Sequence, residues 1–330
     1  MNVFVTGGAG YVGSHCVREL CAAGHTVAVY DNLVSGGHAA AVDPRATLIV
    51  GDLADTGLLA DSLAGVHFDA VMHFAAALDV YQSTIEPLLY YRNNVVNSVS
   101  LLELMRENDI KNIVFSSSCA VYGVPAAVPI TEDMPRVPIN PYGRTKVAIE
   151  WALCDCAAAW GLGATALRYF NAAGAAEDGS IGEDHHPECH LIPRVLKVAL
   201  GLSDRLTIFG TDYPTRDGTC VRDYVHVEDL AGVHRMAIES QETGRFRAYN
   251  VGTGAGVSVQ ELLDSARDVT GHGIPAVESD RRQGDPPELV ANPAKVIEEL
   301  GWRPRYTDIR ETIATAWRWH RAHPGGFFAR

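Results

Sequence analysis

The run Val3-Phe4-Val5-Thr6 passes without a break into Gly7-Gly8-Ala9-Gly10-Tyr11-Val12-Gly13. The run reads as a strand, and Val12, Val17, Leu20 and Cys21 then keep roughly helical spacing up to Gly24. The chain must therefore pass from strand to helix within a few residues, which confines the fold tightly. Gly8, Gly10 and Gly13 fit G-x-G-x-x-G, while Gly7, Gly10 and Gly13 fit the G-x-x-G-x-x-G variant, and both registers stay open. In either one, the helix directs its free N–H groups and positive dipole at an anion that the backbone can approach closely, such as a pyrophosphate. A glycine turn alone is weak evidence. Asp31, closing the next run Thr26–Tyr30, strengthens it, because its carboxylate is placed to accept hydrogen bonds from a ribose 2′-OH and repels a 2′-phosphate. The expected cofactor is NAD rather than NADP.

Four more runs, Thr47–Val50, Ala70–Phe74, Asn112–Ser116 and Ala164–Tyr169, alternate with helical patterns, and most are too continuously apolar for a sheet with one wet face. That rhythm predicts an α/β fold built on a doubly wound parallel sheet of Rossmann type. After about residue 171 the pattern changes. Loops rich in Gly, Pro and acidic residues at 172–187, 211–218 and 278–287 interrupt shorter helices such as Ile192–Gly201 and Val259–Thr270. At 330 residues a chain commonly divides into two lobes. The expected division is an NAD-binding domain over 1–170, with some return of chain near 220–255, and a smaller α/β substrate-binding lobe over 171–330. Tyr249-Asn250-Val251 reads as a returning strand.

Lys plus Arg number 27 against 40 Asp plus Glu, a formal net charge of −13, so no general attraction to nucleic acid or anionic lipid is expected. No apolar run approaches the ~20 residues of a membrane-spanning helix, and no leader-like segment precedes the first strand. The expectation is a cytoplasmic protein. Seven cysteines lack any C-x-x-C or zinc-like spacing and read as reduced thiols. Glu183-Asp184-His185-His186 with His190 lies in a Pro- and Gly-bounded loop without a supporting ligand pattern, so no metal is expected.

Tyr142-Gly143-Arg144-Thr145-Lys146 introduces a helical segment, Val147–Trp160, and Tyr-x-x-x-Lys spacing puts both side chains on one helix face. An ammonium near a phenol favours the phenolate and lowers its pKa from ~10, which makes a general base. Ser116-Ser117-Ser118 closes the fifth strand at the edge where such sheets bind ligands, and Ser118 can hydrogen-bond the hydroxyl that Tyr142 deprotonates. Asp52 after the third strand and Phe74-Ala75-Ala76 after the fourth stand where a cofactor passes.

TGGAGYVGSH, YDNL, FSSSCAVYG, NPYGRTK, LRYFNAAGA, VRDYVHVEDL and the RRQGD stretch, in this order over nearly the full length, resemble the UDP-glucose 4-epimerase family of extended short-chain dehydrogenases. The resemblance implies catalytic roles for Ser118, Tyr142 and Lys146. It implies an NAD envelope of Gly7, Gly10, Tyr11, Val12, Gly13, Asp31, Asn32, Leu33, Ser35, Gly36, Asp52, Leu53, Phe74, Ala75, Ala76, Leu78, Asn93, Ser116 and Phe170, with Tyr142 and Lys146. The UDP-hexose falls to Asn171, His190, Leu191, Thr207, Phe209, Arg222, Tyr224, Arg282, Asp285 and Leu289, together with Ser118 and Tyr142. Guanidinium forks at Arg222 and Arg282 suit a diphosphate on an acidic protein.

The implied reaction interconverts UDP-glucose and UDP-galactose through a 4-keto intermediate, and the implied assembly is a homodimer through first-lobe helices near 94–106 and 147–160. Several residues depart from the family pattern. Leu78 stands where some members carry lysine, Asp79 and Tyr81 are unusual, His190 replaces a frequent Asn, and Leu289 stands where some carry Tyr. The smaller Leu289 leaves room for an N-acetylhexosamine, since pocket volume discriminates such substrates. Alternatives are a 4-epimerase of UDP-pentose or UDP-uronic acid, a sugar-nucleotide dehydratase, and a non-catalytic NAD-binding sensor. The dehydratase wants an acid beside the position of Ser118, where this chain has Ser117-Ser118-Cys119; the sensor has no need of Tyr142 and Lys146.

Overall fold

Side chains of β1 (Asn2–Thr6) alternate between two fully buried environments, Val3 and Val5 in one core and Phe4 in the other, as the two-residue period of a strand covered on both faces requires. The structure is a computed structural model describing residues 1–34, 36–282 and 285–328, without the side chain of Phe328; Ser35, expected in the cofactor envelope, lies outside the described residues. The remaining strands are β2 (Thr26–Asp31), β3 (Thr47–Val50), β4 (Ala70–His73), β5 (Asn112–Ser118), β6 (Gly163–Tyr169), β7 (Asn171–Ala173), β8 (Leu206–Phe209), β9 (Val221–His226), β10 (Phe246–Val251), β11 (Gly256–Ser258), β12 (Ala276–Ser279) and β13 (Glu288–Leu289). The principal sheet has the order β10-β6-β5-β4-β1-β2-β3, with every neighbouring pair parallel. The order reverses between β1 and β4, and a crevice at that switch point, outside the carboxyl ends of the strands, is where such sheets bind ligands.

The helices are α1 (Tyr11–Ala22), α2 (Thr56–Leu63), α3 (Val80–Ile85), α4 (Pro87–Tyr90), α5 (Asn97–Glu107), α6 (Pro141–Trp160), α7 (Leu191–Ala199), α8 (Val227–Glu239), α9 (Val259–Thr270), α10 (Ala294–Leu300) and α11 (Ile309–Ala322). Val17 and Leu20 of α1 join Leu230 and Val233 of α8 over one sheet face, and Leu101 of α5 joins Ile149 and Leu153 of α6 over the other. The fold is the Rossmann-type sheet read from the sequence. A third core gathers Ile192, Leu196, Leu262, Ile313 and Trp317 from α7, α9 and α11 around β8. Beside it, β9 pairs with β7, β11 and β13 in a small mixed sheet. Among the described residues no helix is long and apolar enough to cross a membrane.

Helix α6 begins earlier than the periodicity of its apolar residues suggests. The Asn140 side chain accepts a 2.8 Å bond from the Gly143 N–H, and Pro141 occupies the first turn, so the helix starts at Pro141 and carries Tyr142 and Lys146 in its opening turns. One turn on, Glu150 is fully buried and receives 2.9 and 2.7 Å bonds from Arg168 of β6, 2.9 Å from Arg136 and 2.7 Å from Ser117 of β5. Burial raises the Glu150 carboxyl, but the Arg168, Ser117 and Arg136 bonds outweigh it and hold the group below its ordinary value. This network fastens α6 to the sheet edge.

Candidate active site

The turn after β1 decides the glycine register. Gly7 has φ +72°, and a Cβ added there would stand 2.5 Å from the Ala75 backbone nitrogen across the switch point. A Cβ on Gly13 would overlap the Gly7 carbonyl, so helix and turn close together only without side chains. Gly10 is the N-cap of α1 and offers no side-chain cap, which leaves first-turn N–H groups directed at the crevice. Gly7, Gly10 and Gly13 therefore hold the three positions that shape the phosphate cradle, while Gly8 packs under Val5 and Val29.

At the end of β2, the Asp31 carboxylate accepts 2.9 Å bonds from the N–H groups of Ala9 and Leu33. It joins the glycine turn to the following loop and keeps lone pairs for a ribose. Burial raises its pKa and those two N–H bonds oppose the rise. Asn32 donates to Asp52 at 2.8 Å, tying the loops after β2 and β3. A cavity of about 640 Å³ runs from this turn along the sheet edge. A cradle that any Cβ would fill, an uncapped helix terminus and the carboxylate at the end of β2 fit a dinucleotide without a 2′-phosphate.

Further along the cavity stand Ser116 and Ser118 of β5, with Tyr142 and Lys146 of α6. The Lys146 ammonium donates a 2.8 Å bond to the Ser116 carbonyl and lies 5.6 Å from the Tyr142 ring centre. Burial draws its pKa down to about 7, with Glu150 pulling the other way. Tyr142 is half-buried at the cavity wall, and desolvation pushes its phenol above the ordinary value, opposed by the Ser118 hydroxyl. This corrects the expectation of a phenol already acidified by its lysine. Desolvation by the surrounding protein, and not the lysine, is the leading influence on the phenol.

The cavity collects Gly7, Gly10, Tyr11, Val12, Gly13, Asp31, Asn32, Gly36, Asp52, Leu53, Phe74, Ala75, Ala76, Leu78, Asn93 and Phe170 of the cofactor set. Leu33 does not line it; with φ 59° it turns away and contributes its N–H to Asp31. Of the substrate set, Asn171, His190, Leu191, Arg222, Tyr224, Asp285 and Leu289 line the same cavity. Thr207, Phe209 and Arg282 do not. Thr207 and Phe209 belong to β8, paired with β12, and the Arg282 guanidinium stacks 4.1 Å from the Phe209 ring centre. Arg222 is paired with Asp285; burial lowers its pKa, but Asp285 more than offsets that and the guanidinium stays charged.

Several structural contributors escape sequence reasoning. Asn94 is fully buried in a widened helical turn at Tyr91–Val96. Its side chain bonds the Ala77 N–H at 2.8 Å, the Ala77 carbonyl at 3.0 Å and Thr145 at 3.2 Å, which fixes the segment after β4 against α6. Tyr169 bonds the Ser116 hydroxyl behind Lys146. A buried asparagine next to the expected Asn93 is the one local signal, and nothing in the spacing announces the widened turn.

The family model described as "NAD dependent epimerase/dehydratase family" matches residues 3–252. A UDP-glucose 4-epimerase of Lactobacillus helveticus is 51% identical over 328 residues, 99% of each chain. A UDP-glucose 4-epimerase from Brucella ovis, solved in complex with NAD, is 46% identical with a TM-score of 0.91, covering 96% of this chain and 97% of that one. Another from Bifidobacterium longum, solved in complex with NAD⁺ and UDP, is 38% identical with a TM-score of 0.95, covering 99% and 100%. The family model covers more than half of the chain and the relatives match it over nearly its full length, and the chain belongs to the NAD dependent epimerase/dehydratase family.

Proposed function

We propose that this protein is an NAD-dependent 4-epimerase that interconverts UDP-glucose and UDP-galactose through a 4-keto intermediate. The observation that carries the reading is one continuous cavity holding the glycine cradle, Ser118, Tyr142 and Lys146, and the nucleotide-facing pair Asn171 and Arg222. NAD, when bound, supplies reversible hydride acceptance and a positive charge in its oxidised form, with no net redox change.

The chain's own groups do the rest. Tyr142 takes the proton from the sugar O4 hydroxyl and later returns one, acting as base and then acid. Ser118 shares that hydroxyl and orients it. Lys146, held by the Ser116 carbonyl, stabilises negative charge developing on the phenol oxygen. Arg222 and Asn171 keep the nucleotide anchored while the sugar turns, and the fork of Arg222 meets the diphosphate. Residues 1–170, with the chain that returns near 220–255, are read as the NAD-binding domain and 171–330 as the UDP-sugar lobe. The exposed apolar residues Val96, Val99 and Trp151, at and along α5 and α6, support a homodimer through these helices. All seven cysteines are unpaired, which suits a reducing compartment such as the cytoplasm.

The test is to incubate the purified protein with UDP-galactose and no added NAD. UDP-glucose should appear. No product, with or without added NAD, sinks the reading.

A further inference from the structure

The loop from β7 to α7 carries Glu183, Asp184, His185, His186, Glu188 and His190, and the structure sorts them into two sets. Asp184 turns toward His38, at 3.3 Å, and accepts the Phe327 N–H at 3.0 Å. His186 is exposed, with 63% of its side chain in solvent. Glu183, His185, Glu188 and His190 converge instead, one ligand atom from each lying within 4.8 Å of all the others.

The convergence is not a finished ion-pair network. His190 Nδ1 lies 2.6 Å and His185 Nδ1 3.2 Å from the same Glu183 oxygen, yet neither contact has hydrogen-bond alignment. Glu183 and His185 are more than nine-tenths buried, and Glu183 Oε1, His185 Nδ1 and His190 Nδ1 all lack an aligned partner. Glu188 Oε1 stands 3.6 Å from His190 Nδ1 and accepts the His190 backbone N–H at 2.9 Å, which aims its carboxylate at the cluster. Buried polar atoms left without partners are costly, so three around one point call for a common partner. Four ligand atoms gathered about one point, three of them without an aligned partner, are what a cation site presents.

We propose that Glu183, His185, Glu188 and His190 bind a divalent transition-metal ion, zinc by preference, through two imidazole Nδ1 atoms and two carboxylate oxygens. Ligands about 2.0–2.2 Å from a tetrahedral zinc stand on the order of 3.3 Å apart; the 3.2 and 3.6 Å separations are close to that, and the 2.6 Å contact of His190 with Glu183 widens to it as the ion enters. Nitrogen ligands in half of the set disfavour calcium and magnesium, which take oxygen. The expectation of no metal rested on the lack of a supporting ligand pattern among Glu183, Asp184, His185, His186 and His190; the fold brings three of these, Glu183, His185 and His190, together and adds Glu188, which spacing alone does not single out. Glu183 and His185 are buried, while His190, with 41% of its side chain exposed, leaves a way in. The His185 ring meets Tyr11 of the cofactor turn edge-on at 6.3 Å, and His190 directly precedes α7, whose Leu191 lines the cavity. The ion staples the loop 183–190 to itself and so fixes the His185 ring beside Tyr11.

The full-length protein is dialysed against a chelator and titrated with Co²⁺, then Zn²⁺. The wild type should develop the visible bands of tetrahedral Co²⁺ at about one ion per chain and lose them to zinc. Glu183→Gln and His185→Ala should each weaken binding by at least about tenfold. Absence of tetrahedral bands in the wild type, or unchanged uptake in both folded variants, overturns the proposal. If the variants do not fold, the wild-type Co²⁺ form decides: paramagnetically shifted signals from two imidazole rings support the site, and fewer than two overturn it.

Discussion

One wall of the cavity is the carboxyl edge of the parallel sheet, from the glycine turn before α1 to the serines that end β5; the other is assembled from the start of β7 at Asn171, the loop 183–190, β9 at Arg222 and Tyr224, and residues 285–289. The sheet wall meets its ligand largely with backbone: Gly7, Gly10 and Gly13 act by lacking side chains. Behind it the supporting charge is satisfied, as Glu150 is by Arg168, Arg136 and Ser117. The loop wall works with side chains whose partners are incomplete, such as the Glu183 and His190 atoms without aligned bonds. A closed network holds a scaffold still, whereas an open one is completed by what binds. The difference separates the chemistry, on the rigid wall, from recognition, on the adaptable one.

Replacing Tyr142 with Phe tests the rigid wall most severely. Turnover should fall by roughly 10²–10⁴-fold, the usual contribution of a general acid–base group, while absorbance shows cofactor still bound; appreciable remaining turnover would remove Tyr142 from its role. Next in size is Glu150→Gln, which strands the buried Arg168 guanidinium and should cost about 3–5 kcal/mol of folding free energy in chemical denaturation. Its pH dependence carries a sign. The native Glu150 pKa is depressed, so its stabilisation is full above the unfolded carboxylate value and fades as pH falls through the native one. The variant should lack that acid-side loss, and identical stability-versus-pH curves for the two proteins would show the network to be idle.

On the loop wall the effects should be milder and fall on binding. Arg222→Lys keeps the charge but loses the planar fork, so KM for the UDP-sugar should rise about tenfold with kcat nearly unchanged; a drop confined to kcat would place Arg222 with the chemistry instead. The smallest change is expected from Leu289→Tyr. It should lower turnover of an N-acetylhexosamine substrate relative to the plain hexose by on the order of tenfold, by filling space at the sugar C2. Equal effects on both substrates would mean that this side chain does not face the C2 substituent.

The amino-acid sequence by itself determined what depends on short-range periodicity. Continuous apolar runs announce strands buried on both faces, glycines at 7, 8, 10 and 13 announce a turn tight enough for a phosphate, and the four-residue step from Tyr142 to Lys146 places both on one helix face. Those constraints act within one or two turns of chain, so the residues carry them wherever the chain goes. Only the tertiary structure decided how deeply each group is buried and which distant segments converge. It drew Lys146 down to about 7 and pushed Tyr142 up, through desolvation that spacing does not record. It also left Thr207, Phe209 and Arg282 outside the cavity and set Glu188 beside Glu183, His185 and His190. Ionisation and convergence depend on how much water and which other segments surround a side chain, and packing settles both after the local pattern is in place.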